Sequence, residues 1–280
     1  MKFFVKKKEQ QINTHITAID GKVIARKGDH VNDDFLNQLI NMRPPGISDK
    51  RPFAKLELNA HMELLLQNPK YLFISDNGKQ KNAILNMLAP LQFNKIVAKE
   101  FSWLKRYPYH YHHSLAIGLL VARMMLDFYQ DTKKAREAAE CAFTHDFGIT
   151  RVSEEILNKV SPLDKDEIKI LHEHPIYSYI LLIYYGYDPQ DLQTLVGYGH
   201  HEDLQGNGYP RAIRQDNMIC KCVQLCDIYD ALISARPFRP AKTPVQAMQI
   251  IEKMVVSGQL DEQPVSMLSM YVGNQVSELS

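Results

Sequence analysis

The chain has no long apolar run. One of its most apolar stretches, Leu115 to Leu126, is interrupted by Arg123 and is too short to cross a bilayer. Nor is there an excess of charge of either sign. Lys and Arg total 33 against 32 Asp and Glu, a formal net charge of +1. No global field draws the chain to a nucleic-acid polymer or a membrane, and an anionic ligand has to be held by a local site. The opening Met1-Lys2-Phe3-Phe4-Val5-Lys6-Lys7-Lys8-Glu9 lacks the apolar core of a signal peptide. A cytoplasmic protein is expected, with lysines 6 to 8 as a solvated tail. Cysteine is scarce: Cys141, Cys220, Cys222 and Cys226 are all there is. The last three look like a metal cluster, but the helical pattern puts Cys222 and Cys226 on one face and Cys220 elsewhere. No second pair completes a zinc set. Core thiols are therefore expected, without disulfides in a reducing compartment. Internal repeats and low-complexity segments are also absent.

What is present is an ordinary folded composition, 45% hydrophobic and 23% charged over 280 residues. The chain divides into two parts. Residues 1–100 read as a smaller mixed α/β domain with no chemical constellation in it. Ile16 and Ala18 alternate up to Asp20-Gly21, and Val23 and Ala25 alternate beyond it, which predicts a hairpin. Asn32 is placed as the cap of a helix carrying Phe35, Leu36, Leu39 and Ile40, ended by Pro44-Pro45-Gly46. Tyr71 to Ile74 reads as a short strand, and Lys79 to Leu88 as a helix. Residues 101–280 read as all helix. Leu115 to Phe128 is apolar nearly all round. Arg136 to Thr144 is Ala-rich, with Gly148 as its expected C-cap. Asp164 with Glu167 forms a capping box. His174-Pro175 breaks that helix, Asp188-Pro189 starts another, Asn217 to Ala235 is long, and Thr243-Pro244 with Gln246 opens the last clear one.

The chemistry gathers in the second part. His145 and Asp146 are adjacent at a helix C-terminus, where the helix dipole gives a carboxylate nothing, so Asp146 needs a positive partner. His174 sits at a helix break, and His200-His201 at a helix end before a loop with two glycines. Asp227 lies in an otherwise apolar helix, and His113 begins one. Unpaired carboxylates at such positions are costly. Imidazole with carboxylate suits iron, manganese or zinc. Five histidines and two aspartates exceed one cation's needs and match two sharing a bridging carboxylate.

These residues carry a resemblance. His145-Asp146 is similar to the paired motif of the HD superfamily of metal-dependent phosphohydrolases, and the whole set resembles its HD-GYP branch. The set includes Glu154-Glu155-Ile156-Leu157-Asn158-Lys159 and Pro162-Leu163, then His174-Pro175, His200-His201-Glu202 and Gly206-Asn207-Gly208-Tyr209-Pro210. Asp227-Ile228-Tyr229-Asp230-Ala231-Leu232 and Arg236-Pro237-Phe238-Arg239 complete it. The likeness spans about residues 109 to 250; residues 1–100 lie outside it, where such proteins often carry a regulatory or partner domain.

The resemblance implies an all-helical HD-GYP domain and hydrolysis of cyclic di-GMP to pGpG and on to GMP, or of cyclic GMP-AMP. His113, His145, Asp146 and Asp227 would hold one divalent cation. His174, His200 and His201 would hold the second, with Asp146 bridging and a water or hydroxide between the two as nucleophile. Iron is the first choice of metal, with manganese or zinc next. Asp146 is also the catalytic residue, and Arg236 and Arg239 would bind substrate phosphate. The Gly206–Pro210 loop would lie beside the site as a surface for a protein partner such as a diguanylate cyclase domain. A second copy of the chain is a further candidate partner.

Two departures bear on turnover and metal count. Ile149 stands where the family has the lysine of HDxGK, which leaves a catalytically weak binding or signalling module as the alternative function. Tyr109 stands where trinuclear members have a glutamate, so two cations are expected, not three. His110, His112 and His172 match no role and read as surface or rim residues. His15, His30 and His61 read as solvated.

Overall fold

A computed structural model of the chain describes residues 10–47, 50–52, 58–75, 78–235 and 239–278. The fold is mainly α, with a few short strands near the N-terminus. The hairpin forms as predicted: β1 (Ile16–Thr17) pairs antiparallel with β2 (Val23–Ala25), Ile16 opposite Ala25. Gly21 turns it at φ 86°, a left-handed conformation that glycine adopts without steric cost. Helix α1 (Asp33–Asn41) is capped by the Asn32 side chain, which accepts from Phe35 N at 3.0 Å. A second antiparallel pair joins β3 (Lys50–Pro52) to β4 (Gln92–Asn94). Between these strands lie α2 (Leu58–Gln67) and α3 (Gly78–Leu88). Leu72–Ile74 is a 3-10 turn rather than a strand. Its short apolar run packs as a buried turn, with Phe73 and Ile74 inside, and finds no strand partner among the described residues.

Helix α4 (Lys95–Leu104), capped by Asn94, leads into α5 (Pro108–Tyr129), which begins with proline in its first turn. Helix α5 is buried on nearly all sides and packs along α6 (Thr132–Thr144). Gly118 makes that approach possible, since a Cβ there would lie 2.1 Å from the Phe143 ring. The segments α7 (Glu154–Leu157) and α8 (Lys165–Leu171) follow, the latter with the predicted Asp164–Glu167 capping box. Then come α9 (His174–Tyr184), α10 (Leu192–Gly199), α11 (Met218–Ile233), α12 (Pro244–Val256) with its Thr243–Gln246 box, and α13 (Glu262–Glu278).

Two boundaries shift from the sequence reading. Helix α10 starts after Asp191, because Pro189 is spent in the turn before it. Gly148 is not a C-cap. The chain turns at His145 into a 3-10 segment, Phe147–Arg151, and a Cβ on Gly148 would meet His174 O at 2.0 Å. The glycine is there for close approach to α9. All four cysteines are buried and free. The buried apolar residues form one cluster that runs from Ile12 to Val272 without a break at residue 100.

Candidate metal centre

Five helix ends and faces converge on one buried point. Helix α5 contributes His113 from its second turn. The end of α6 delivers His145 and Asp146. The break between α8 and α9 presents His174, the end of α10 presents His200 and His201, and the middle of α11 presents Asp227. His113, His145, Asp146, His174 and His200 are all buried, while His201 and Asp227 are part-exposed. Terminal positions bring side chains inward without breaking an i→i−4 ladder, which is why four of the five histidines sit at or beside helix ends.

Ligand-type atoms of His113, His145 and Asp146 lie within 4.8 Å of one another, and those of His174, His200 and His201 do likewise. The two trios face each other. His174 Nε2 is 3.4 Å from Asp146 Oδ1, and the His145 and His200 rings are 4.9 Å apart. Asp227 reaches both, with Oδ1 3.0 Å from His113 Nε2 and Oδ2 3.7 Å from His201 Nδ1. Every sequence-predicted histidine and both aspartates are thus together.

The outer nitrogens fix the tautomers. His145 Nδ1 lies 2.6 Å from Ala142 O, His174 Nδ1 2.7 Å from Leu171 O, and His200 Nδ1 3.1 Å from Gly197 O. A carbonyl only accepts, so each Nδ1 carries the proton and each Nε2 turns a lone pair inward. His174 Nε2 and His200 Nε2 are then 3.2 Å apart, lone pair against lone pair. His201 Nε2 lies 3.1 Å from the same His174 nitrogen. Asp146 Oδ1, buried, accepts no hydrogen bond. Such an arrangement is repulsive by itself and is what a cation with nitrogen and oxygen ligands requires.

The electrostatics agree. Burial, with neighbouring imidazoles, pushes His200 well below the usual histidine range, and burial brings His201 down to about 3. His145 is lowered by burial as well. Burial also opposes charge on Asp146, yet His174 and His110 hold its carboxyl well below the usual range. Asp227 is likewise held down against burial, by His113. Burial disfavours a proton on His113, but bonds to Asp227 and Asp230 raise it well above the ordinary value. Neutral His145, His200 and His201 beside ionised Asp146 and Asp227 are in the protonation states that ligate metals, whereas His113 carries a proton that a cation would have to displace.

Several residues at this centre were not singled out by the sequence. Asp230 Oδ2 receives His113 Nδ1 at 2.6 Å and orients the ring; its spacing three residues after Asp227, on one helix face, was the available signal. Tyr71 OH donates to the other Asp230 oxygen. His110, read as a rim residue, stands 3.7 Å from Asp146 Oδ2 through Nδ1, one turn before His113. Tyr109 stacks on His113 at 5.6 Å. His61, read as solvated, is half-buried and bonds to Tyr111 OH at 2.7 Å.

The glycine loop lies against the centre. Tyr209 is sandwiched between His172 and His201, at ring distances of 4.0 and 4.5 Å, and its N donates to His201 O. The loop therefore lies beside the centre and buttresses His201, and His172 is its outer prop. Gly206 supplies a left-handed turn at φ 75°. Gly208 has another reason: a Cβ there would lie 2.3 Å from His201 O. Buried Glu202 accepts from Arg211 N and Ile213 N at 2.7 and 3.0 Å and closes the loop. Arg239 turns away and donates to Ala231 O, while Arg236 lies outside the described residues. Ile149 is buried in the core at 3% exposure, so position 149 offers the centre no cation.

An α-helical domain that aims imidazoles and carboxylates inward from helix ends is what the sequence resemblance implies, and comparison with known proteins agrees. A family model described as HD domain matches residues 92–263, more than half of the chain. The chain belongs to the HD domain family, which is metal-dependent. It is 32% identical over 151 residues to a 3'3'-cGAMP-specific phosphodiesterase of Vibrio cholerae, covering 52% of this chain and 32% of the relative. A cyclic di-GMP phosphodiesterase of Pseudomonas aeruginosa is 29% identical over 146 residues, covering 50% of this chain and 34% of the relative. The chain thus spans about a third of the length of these two relatives. Among solved structures, Bd1817 of Bdellovibrio bacteriovorus superposes over 98% of both chains at 14% identity and a TM-score of 0.48.

Proposed function

We propose that this chain is a metal-dependent phosphodiesterase that hydrolyses cyclic di-GMP, or a related cyclic dinucleotide, to a linear product. The observation that carries this reading is the inward-facing set of Nε2 lone pairs opposite Asp146 and Asp227. His113, His145, Asp146 and Asp227 would hold one divalent cation, and His174, His200 and His201 a second, with Asp146 reached from both sides. Two such cations would supply an acidified water and offset the charge that gathers on phosphoryl oxygens. The chain's own part is positional. Backbone carbonyls and Asp230 keep the imidazoles oriented, burial keeps His145, His200 and His201 neutral, and Tyr209 holds His201 in place. Iron, manganese and zinc all suit this donor set. The relatives' names support the cyclic dinucleotide substrate.

Residues 1–100 act in this reading as a regulatory region. Gln10 Nε2 donates to Pro210 O at 2.8 Å, and Asn13 donates to Glu173, next to His174, so the N-terminal segment touches both the glycine loop and the metal-centre helix. Among the described residues no helix is long and apolar enough to cross a membrane, and we place the protein in the cytoplasm.

Ile149 favours a second reading, a module that holds metal and cyclic dinucleotide with little turnover. Loss of one electrostatic group at such a site costs on the order of a hundredfold in rate. One sample decides between them. Bound metals are counted by mass spectrometry, and products of cyclic di-GMP are then followed by chromatography. Two metals per chain with pGpG or GMP appearing is the expected result. Tight nucleotide binding without product over hours selects the module, and metal-independent behaviour identical in Asp146→Ala overturns both.

A further inference from the structure

Helix α4 has two unlike faces. Its inner face carries Glu100, fully buried and clamped by Arg151. Its outer face carries Lys95, Lys99, Ser102 and Trp103, and Arg106 follows in the turn after the helix, all exposed. With Ala98 and with Ile19 from the hairpin, these line an open groove of about 520 Å³. Among the described residues the lining has three cations and no carboxylate. The Arg106 guanidinium lies over the Trp103 ring, 4.5 Å from its centre, and Trp103 remains 38% exposed. Within the described residues no ion pair neutralises Lys95 or Lys99. An exposed indole in a row of uncompensated cations is the composition of a contact surface, since tryptophan and arginine dominate binding energy where they are displayed.

The spacing says what fits. Relative to Lys95, Lys99 lies about 6 Å along the helix axis and Trp103 about 12 Å, at ~1.5 Å per residue, and Arg106, in the turn beyond the helix, holds its guanidinium beside Trp103. An extended chain places same-face side chains about 6.6 Å apart. Three alternate residues therefore meet Lys95, Lys99 and Trp103 in turn, and the reach of an arginine side chain covers the few ångströms to the next. A mononucleotide gathers its charge at one end and does not match a row of single cations in an open groove. We infer that this groove docks an extended acidic segment of a partner protein, with carboxylates on Lys95, Lys99 and Arg106 and an apolar side chain on Trp103. The inference stands apart from the phosphodiesterase reading. The partner would lie one helix thickness from the 3-10 turn that follows Asp146, because Arg151 of that turn pairs with Glu100 of the same helix.

Trp103 is the chain's single tryptophan and reports on its own groove. The test titrates the metal-loaded full chain with a capped heptapeptide while following tryptophan emission. The peptide carries glutamate at its first, third and seventh positions, phenylalanine at its fifth, and serine elsewhere. A saturable change is expected, weakening with added salt and absent for the peptide with lysine in place of glutamate. The double variant Lys95→Glu, Lys99→Glu, changed only at exposed positions and checked by circular dichroism, should bind at least tenfold more weakly. No saturation up to millimolar peptide overturns the inference, as does equal response to the lysine peptide. Displacement of the peptide by GMP reassigns the groove to a nucleotide and overturns it equally.

Discussion

Glu100 and Asp146 are both buried carboxylates in the same helical core, yet their surroundings differ in kind. Glu100 is saturated by protein. Arg151 grips both oxygens, Thr150 Oγ1 donates at 3.1 Å, and Tyr185 OH donates as well. Asp146 has an oxygen that accepts no hydrogen bond, and its near neighbours are imidazoles whose lone pairs crowd one another. A buried polar group left in that condition costs stability. One cluster is finished when the chain folds, whereas the other keeps donor atoms that a cation would satisfy. The comparison separates a structural clamp from a binding centre without any appeal to sequence motifs.

The sharpest way to break that distinction is to remove each carboxylate. Asp146→Ala should abolish binding of at least one metal and lower turnover at least about a thousandfold, since a cation's charge stabilisation is worth several kcal/mol. Its metal-free thermal stability should fall less than that of Glu100→Ala, because one of its oxygens has no hydrogen bond to lose. Metal stoichiometry, turnover and melting of the chelated protein check this, and a large drop in metal-free stability would erase the contrast with Glu100. Glu100→Ala should behave in the opposite way. It leaves Arg151 buried and unpaired, a loss of about 3 kcal/mol or more, read as a lower denaturation midpoint. The folded fraction should still bind its full complement of metal.

Much of this contrast could be read in the residues themselves, and some could not. Hairpin, caps and helix breaks were legible because Asp20-Gly21, Asn32, Asp164 and His174-Pro175 act through their immediate neighbours. The seven site residues come together because the motif order fixes them as a set. The clamp was not legible: Glu100 and Arg151 lie 51 residues apart and belong to no local pattern. His110 and Tyr209 escaped for a similar reason. Their roles arise from α5 facing Asp146 and from the loop folding back over His201, which are tertiary facts. The turn at Leu72–Ile74 shows the complementary error, where a short apolar run fits strand and buried turn equally well.

A finer test concerns the supports of the centre. Asp230→Asn keeps an acceptor near His113 Nδ1 but removes the charge that orients it and raises its basicity. Metal affinity should fall about 10- to 100-fold, as is usual when the partner of a ligating histidine is lost. Competition with a chelator of known affinity measures it. The weaker effect relative to Asp146→Ala is the point. If the two variants lose metal equally, Asp230 coordinates directly and the division between centre and support is misplaced.

The smallest expected effect is a pH dependence of the metal-free protein. His145, His200 and His201 are held neutral below the ordinary histidine value of about 6.5, with His201 near 3. Between those limits the unfolded chain binds more protons than the folded one, so unfolding free energy rises with pH and falls on acidification. His113 acts in the other direction. Its raised folded value adds stability that is present below about 6.5 and lost only as pH climbs through that raised value. Three lowered groups against one raised leaves a net loss on the acid side, at most about 1.4 kcal/mol per pH unit for each group. The melting temperature in chelator should therefore drop by several degrees from pH 7 to pH 5. The Glu100 clamp has no histidine and contributes nothing there, so His200→Ala should flatten the profile while Glu100→Ala lowers it without changing its slope. A profile that keeps its slope in His200→Ala would show that the acid sensitivity arises elsewhere in the fold.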